Sequence, residues 1–100
     1  MATTSKALFR GAASTSSTTL YTTPSATTTV VTNILVANTA ATSATFELLL
    51  DDVVIAKTVP VAANDTTVID LKQVLATTKT IKGLASATTI NFHISGVEIA

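Results

Sequence analysis

Residues 27–38, Thr-Thr-Thr-Val-Val-Thr-Asn-Ile-Leu-Val-Ala-Asn, form the longest stretch rich in β-branched residues in the chain. Branching at Cβ restricts χ1 and suits a pleated surface better than a helix. At a period of two, Val30, Thr32, Ile34 and Val36 share one face, and Val31, Asn33, Leu35 and Ala37 share the other. Both faces are largely apolar, so the pattern predicts a strand inside a sandwich or against a neighbouring subunit.

The remaining pattern is also one of short strands. Met1 to Lys6 reads as an arm or frayed end, and Ala7 to Ala13 as a short strand weakened by Gly11. Ser14 to Thr19 is a hydroxyl-rich loop, and Leu20 to Thr23 a strand closed by Pro24. After a polar turn at Asn38 to Ser43, Ala44, Phe46, Leu48 and Leu50 alternate with Thr45, Glu47 and Leu49, a half-buried strand. Asp51-Asp52 predicts a tight hairpin back into Val53 to Val59, which Pro60 ends or places at an edge. A turn at Ala63-Asn64-Asp65 leads to a strand at Thr66 to Leu71, and Lys72 to Thr78 reads as a short helical or irregular crossing. Lys79 to Leu84, interrupted by Gly83, and Ile90 to Ile99 complete the set. In the last strand the apolar phase flips after Gly96, which predicts a bulge or a change of sheet there.

Seven to eight short strands at this spacing predict an all-β, antiparallel two-sheet β-sandwich, jelly-roll-like or immunoglobulin-like. The expected division is an N-terminal arm or edge strand with its Ser/Thr-rich loop over residues 1–19 and the sandwich over 20–100.

Composition adds that the chain needs company. Of its 100 residues 47% are hydrophobic and only 12% charged, about half the usual charged share. By size scaling a compact monomer of this length exposes on the order of 5,000 Å², which twelve charges cover thinly, so a homo-oligomer is expected. Six basic and six acidic residues cancel to zero net charge, so no nucleic-acid or membrane partner is indicated. Cysteine is absent, which removes disulfides and thiolate metal sites. The N-terminus lacks the apolar core of a cleaved signal peptide, and no run has the length of a membrane span.

Candidate chemistry is thin. His93 is the single histidine, and Ser95 and Asp70 are its conceivable companions in a triad, but nothing resembles a nucleophile elbow. A histidine on the polar or interface side of the last strand is the simpler reading. Asp51-Asp52 lacks the further acidic residues of a calcium loop and reads as a turn. Asn64-Asp65-Thr66 fits the glycosylation acceptor pattern, and without a secretory signal it too reads as a turn. Gly11, Gly83 and Gly96 are too dispersed to cradle phosphate. No catalytic residue, cofactor or metal is expected.

Residues 20–38, Leu-Tyr-Thr-Thr-Pro-Ser-Ala followed by the Thr/Val-rich strand ending in Asn38, resemble a pattern of small β-sandwich virion proteins of tailed bacteriophages. In that pattern a Leu-Tyr-x-x-Pro turn leads into such a strand. Val61-Ala62-Ala63-Asn64-Asp65-Thr66 resembles the family's apolar-Ala-Asn turn, and residues 90–99, with Gly-Val-Glu-Ile near their end, resemble its C-terminal strand. Ser25-Ala26 and Asp52 stand where such sequences often carry glycine.

The resemblance, which spans residues 20–99, implies a structural protein of the virion, a capsid decoration (cement) protein on the outer surface of the phage head. It implies the major capsid protein as partner, assembly in the host cytoplasm, and a homo-oligomer with a trimer as the first arrangement to expect. The alternative is a tail or fibre sandwich binding host surface glycans, for which Tyr21, Asn33 and His93 are the candidate contacts. Leu8, Phe9 and Arg10 are the expected capsid or subunit docking residues, and Leu20, Tyr21, Asn33 and His93 the expected interface. An apolar pair beside a cation on a flexible segment could be ordered on a partner, against the alternative that Ala7 to Ala13 is an edge strand of its own sandwich. Deleting residues 1–13 is accordingly expected to leave a folded sandwich that attaches more weakly.

Overall fold

The structure is a computed structural model and describes residues 2–100. Eight strands account for most of them: β1 (Thr3–Ala12), β2 (Thr18–Thr22), β3 (Thr28–Asn38), β4 (Ala44–Leu50), β5 (Val53–Val61), β6 (Thr66–Leu75), β7 (Thr80–Ala85) and β8 (Ile90–Ile99). All pairings are antiparallel. β1 pairs with β8, β2 with β7, β3 with β6 and β4 with β5, so the chain is one long ribbon doubled back on itself. Rolling the ribbon brings β8 against β3 and β7 against β4. The result is two four-stranded sheets, β1-β8-β3-β6 and β2-β7-β4-β5.

This is the jelly-roll form of the β-sandwich. The immunoglobulin-like alternative does not apply, because β1 and β2 here lie in opposite sheets, whereas that fold keeps its first two strands together. The ribbon's ends also meet: Ala2 N–H donates to Ala100 O and Ala100 N–H to Ala2 O, each at 2.8 Å.

The core follows from period-two patterning. Phe46, Leu48 and Leu50 of β4 and Ile81 of β7 face Ile34 and Val36 of β3 and Ile90, Phe92 and Ile94 of β8. The Phe46 and Phe92 rings meet edge to face, 6.1 Å between centroids and 77° between planes, a favoured aromatic geometry. The Cβ that Gly83 lacks would lie within 3.0–3.3 Å of Leu20, Leu48 and Phe92. Glycine there admits those side chains, and β7 runs through it unbroken.

The first sheet departs from simple alternation along one line. Thr32 is an extra residue in β3 against β8, and Leu8 is an extra residue in β1 against β8. Across this line Val31, not Val30, joins Ile34 and Val36 on the buried face, which corrects the faces read from the sequence. The bulges lie in the neighbours of β8, and β8 passes Gly96 in register. Gly96 nonetheless serves them, since a Cβ there would collide with the Val30 carbonyl oxygen and approach Leu8 Cδ1 to 2.9 Å.

Other boundaries differ for physical reasons. Lys72 to Leu75 continue β6, with Leu75 buried opposite Thr29, so the expected crossing reduces to a turn around Thr77-Thr78. Pro60 sits within β5, an edge strand, where a missing N–H is tolerated. Asp51 and Asp52 both have positive φ, 54° and 61°, as a two-residue type I′ hairpin requires.

The N-terminal segment is a strand at the edge of the first sheet. Thr3 to Lys6, expected as an arm, pair with Ile99 to Gly96 of β8 (Met1 lies outside the described residues). Leu8 and Ala13 are in the core and Phe9 packs against it.

Candidate functional site

β-Strand register places the expected site residues. Arg10 of β1, His93 of β8, Leu35 of β3 and Val68 of β6 form one row across the outer face of the first sheet. Ala7, Ser95, Asn33 and Asp70 form the next. Small side chains at Ala37 and Ser95 leave a shallow depression of about 300 Å³ there, lined by Arg10, Asn33, Leu35, Ala37, Thr66, His93 and Ser95. The structure thus brings together Arg10, Asn33 and His93. Leu8 and Phe9 turn the opposite way into the protein's own core, so the docking role expected of the three can extend only to Arg10. Leu20 and Tyr21, expected at an interface, pack against the core as well.

This depression holds hydrogen-bond donors and acceptors without the geometry of a nucleophilic site. Ser95 and Asp70 lie in one row with the Asn33 strand between them, about 10 Å apart at ordinary strand spacing. Among the described residues no hydrogen bond joins His93, Ser95 and Asp70, and no three His, Cys, Asp or Glu residues cluster as metal ligands would. Asp51 and Asp52 instead pair with Lys79 at 3.7 Å and Lys82 at 2.7 Å across the hairpin tip. Asn64, at φ 54°, occupies a turn. A second depression, near Thr45, Glu47, Thr58 and Ser86, contains one carboxylate, and Lys57 holds it at 3.2 Å.

Two polar clusters escaped the sequence reading. At one mouth of the sandwich Tyr21 reaches from β2 across to the other sheet, where its hydroxyl donates to Glu98 Oε2 at 2.5 Å. Thr29 Oγ1, fully buried, donates to the same phenol oxygen at 2.8 Å. Lys6 Nζ approaches Glu98 Oε1 at 3.4 Å. Burial first, then the bond to Glu98, pushes the Tyr21 phenol up to about 12. The same bond, ahead of Lys6, holds the Glu98 carboxyl below its ordinary value. The signal was present, because continuing the inward period Ile94, Gly96 places Glu98 inside.

At the opposite mouth the buried Asn38 Nδ2 donates to Thr42 O at 2.8 Å and Val61 O at 3.2 Å, while its Oδ1 accepts from Ala40 N–H at 3.0 Å. Both clusters staple the sheets and tie down loops.

Among the described residues, large exposed apolar side chains are confined to β5 and β6, the edge strands at one side of the sandwich. On β5 they are consecutive: Val53 is 65%, Val54 46% and Ile55 41% exposed. Register shifts against β4 at Ile55 and at Lys57-Thr58 break the alternation of β5, so neighbouring residues face solvent together. Among the described residues no helix is long and apolar enough to cross a membrane. No protein-family model and no curated protein matches the chain.

Proposed function

We propose that the chain is a structural virion protein, a decoration protein bound to the outer surface of a phage head, with the major capsid protein as partner. The observation that carries this reading is the run Val53-Val54-Ile55, exposed on a bulged edge strand beside the Asp51-Asp52 hairpin. Three adjacent apolar side chains at one end of the molecule suit a docking contact, and covering what each still exposes gives about half of the roughly 1.5–3 kcal/mol of a fully exposed side chain, before ordering costs. The virion-protein resemblance over residues 20–99 supports it further. The buried or partly buried Tyr21, Thr29, Glu98 and Asn38 join the two sheets of the sandwich, which fits a scaffold. The glycan-binding alternative has less behind it: of the four aromatic rings, Phe46 and Phe92 are core and Phe9 and Tyr21 pack against it, leaving no free ring on which a sugar could stack.

The test uses heads assembled with and without the protein. Heads lacking it should melt at lower temperature and recover when it is added back. The double variant Val53→Lys/Ile55→Lys should keep its circular dichroism and melting point while binding heads about tenfold more weakly or worse, a loss of about 1.4 kcal/mol. Wild-type protein that binds tail tubes and ignores heads, or a double variant that binds as wild type, overturns the assignment.

A further inference from the structure

β6 differs from the other three edge strands. β2 has five residues, β5 carries two register shifts and Pro60, and β1 is bulged at Leu8. β6 is ten residues long: Ile69, Leu71 and Leu75 turn to the core, Val68, Asp70, Lys72 and Val74 to solvent, and Gln73, between the last two, is exposed as well. It too has a register shift, with Leu71 and Lys72 opposite the single Thr32, and Val68, Asp70, Lys72 and Val74 face solvent on both sides of it.

The outward residues read the same in both directions about Leu71: valine, a charge, the opposite charge, valine. Val68 is 58% and Val74 67% exposed. Asp70 and Lys72 make no ion pair among the described residues, whereas Lys6, Lys57, Lys79 and Lys82 each do.

We propose that β6 is the interface with a second copy of this chain, paired antiparallel about a two-fold axis at Leu71. In that register Val68 faces the partner's Val74, Asp70 faces the partner's Lys72, and each pair recurs across the axis. A two-fold contact uses one patch on both subunits, which must therefore be self-complementary, and opposite charges and apolar pairs directly across a ladder are the favourable combinations. The free N–H and C=O groups of the edge become paired, joining two four-stranded sheets into one of eight strands. The interface is two-fold, in place of the trimer the family resemblance suggests. The proposal does not depend on what Val53 to Ile55 of β5 dock against.

Sedimentation equilibrium decides it. The protein should weigh twice its 10.2 kDa chain mass. Lys72→Asp alone and Asp70→Lys alone should each weaken the dimer at least about tenfold, because like charges then face each other twice. The double swap Asp70→Lys/Lys72→Asp restores opposite pairs and should recover the dimer. A wild-type monomer or trimer overturns the proposal without any variant. So does a dimer that both single variants leave unchanged while circular dichroism shows them folded.

Discussion

The Tyr21 hydroxyl is the atom through which Thr29 and Glu98 are both satisfied. Tyr21→Phe should cost about 2 kcal/mol, since a bond to a charged group is lost and a fully buried hydroxyl loses its acceptor. Urea unfolding at pH 7 measures it. The pH dependence has a definite sign at each end. Glu98 titrates low when folded, so its contribution is present above the ordinary carboxylate range and is lost as pH falls through the lowered value. Tyr21 titrates high, so its contribution is full below its ordinary 10.0 and is lost as pH rises through about 12. The phenylalanine variant should therefore show no alkaline loss from this site and a shallower acid loss. Equal slopes in both proteins would show that the contact contributes nothing. Residue-scale reading from sequence reached Asp51-Asp52 because aspartate tolerates positive φ. It did not reach Ala26, which adopts φ 55° in the turn after Pro24 although alanine carries no such preference.

At the scale of the element, β1 decides between two readings: residues 7–12 form the edge strand given as one alternative, and Thr3 to Lys6 extend it. Paired with β8 from Thr3 to Ala12, and contributing Leu8 and Ala13 to the core, it is not an arm. Deleting residues 1–13 should therefore unfold the sandwich or leave it marginal. Loss of Leu8 alone costs about 2–5 kcal/mol, against a total of about 5–15 kcal/mol for a typical domain, and β8 also loses a hydrogen-bonding neighbour. Circular dichroism of the truncated chain measures this, and a native signal with an unchanged melting point would refute it. Sequence could not settle the matter because Thr3 to Lys6 are small and polar, as an outward edge strand and a frayed end both are. β6 was cut short for a related reason: Lys72 and Gln73 interrupt the apolar pattern, yet Leu75 shows the strand continuing to the core.

For the whole molecule, periodicity gave the number of strands and most buried faces, failing where bulges shift the phase as in β3, and it gave no partners. A period of two says which side is inward. It does not say that β1 meets β8 rather than β2, because that depends on how the loops carry the ribbon between sheets. The outer-face grouping of Arg10, Asn33 and His93 was likewise invisible until register placed three distant stretches side by side. The resulting body is elongated, 45 × 21 × 18 Å. Its mouths are closed by hydrogen-bonded polar residues, and its large exposed apolar side chains lie along one side.

Because Ala2 and Ala100 hydrogen-bond to each other, the backbone is nearly a closed circle, and where it is cut matters less than that it is cut once. A short Gly-Ser linker joining the present ends, with new ends opened between Asp51 and Asp52, would preserve every strand pairing. Such a circular permutant should give the wild-type circular dichroism and lose only the tight hairpin that the two aspartates now make. Cargo fused at either present end would leave from the same mouth as the Tyr21–Glu98 contact. The Asp51-Asp52 cut would give a second attachment point, beside the apolar run of β5.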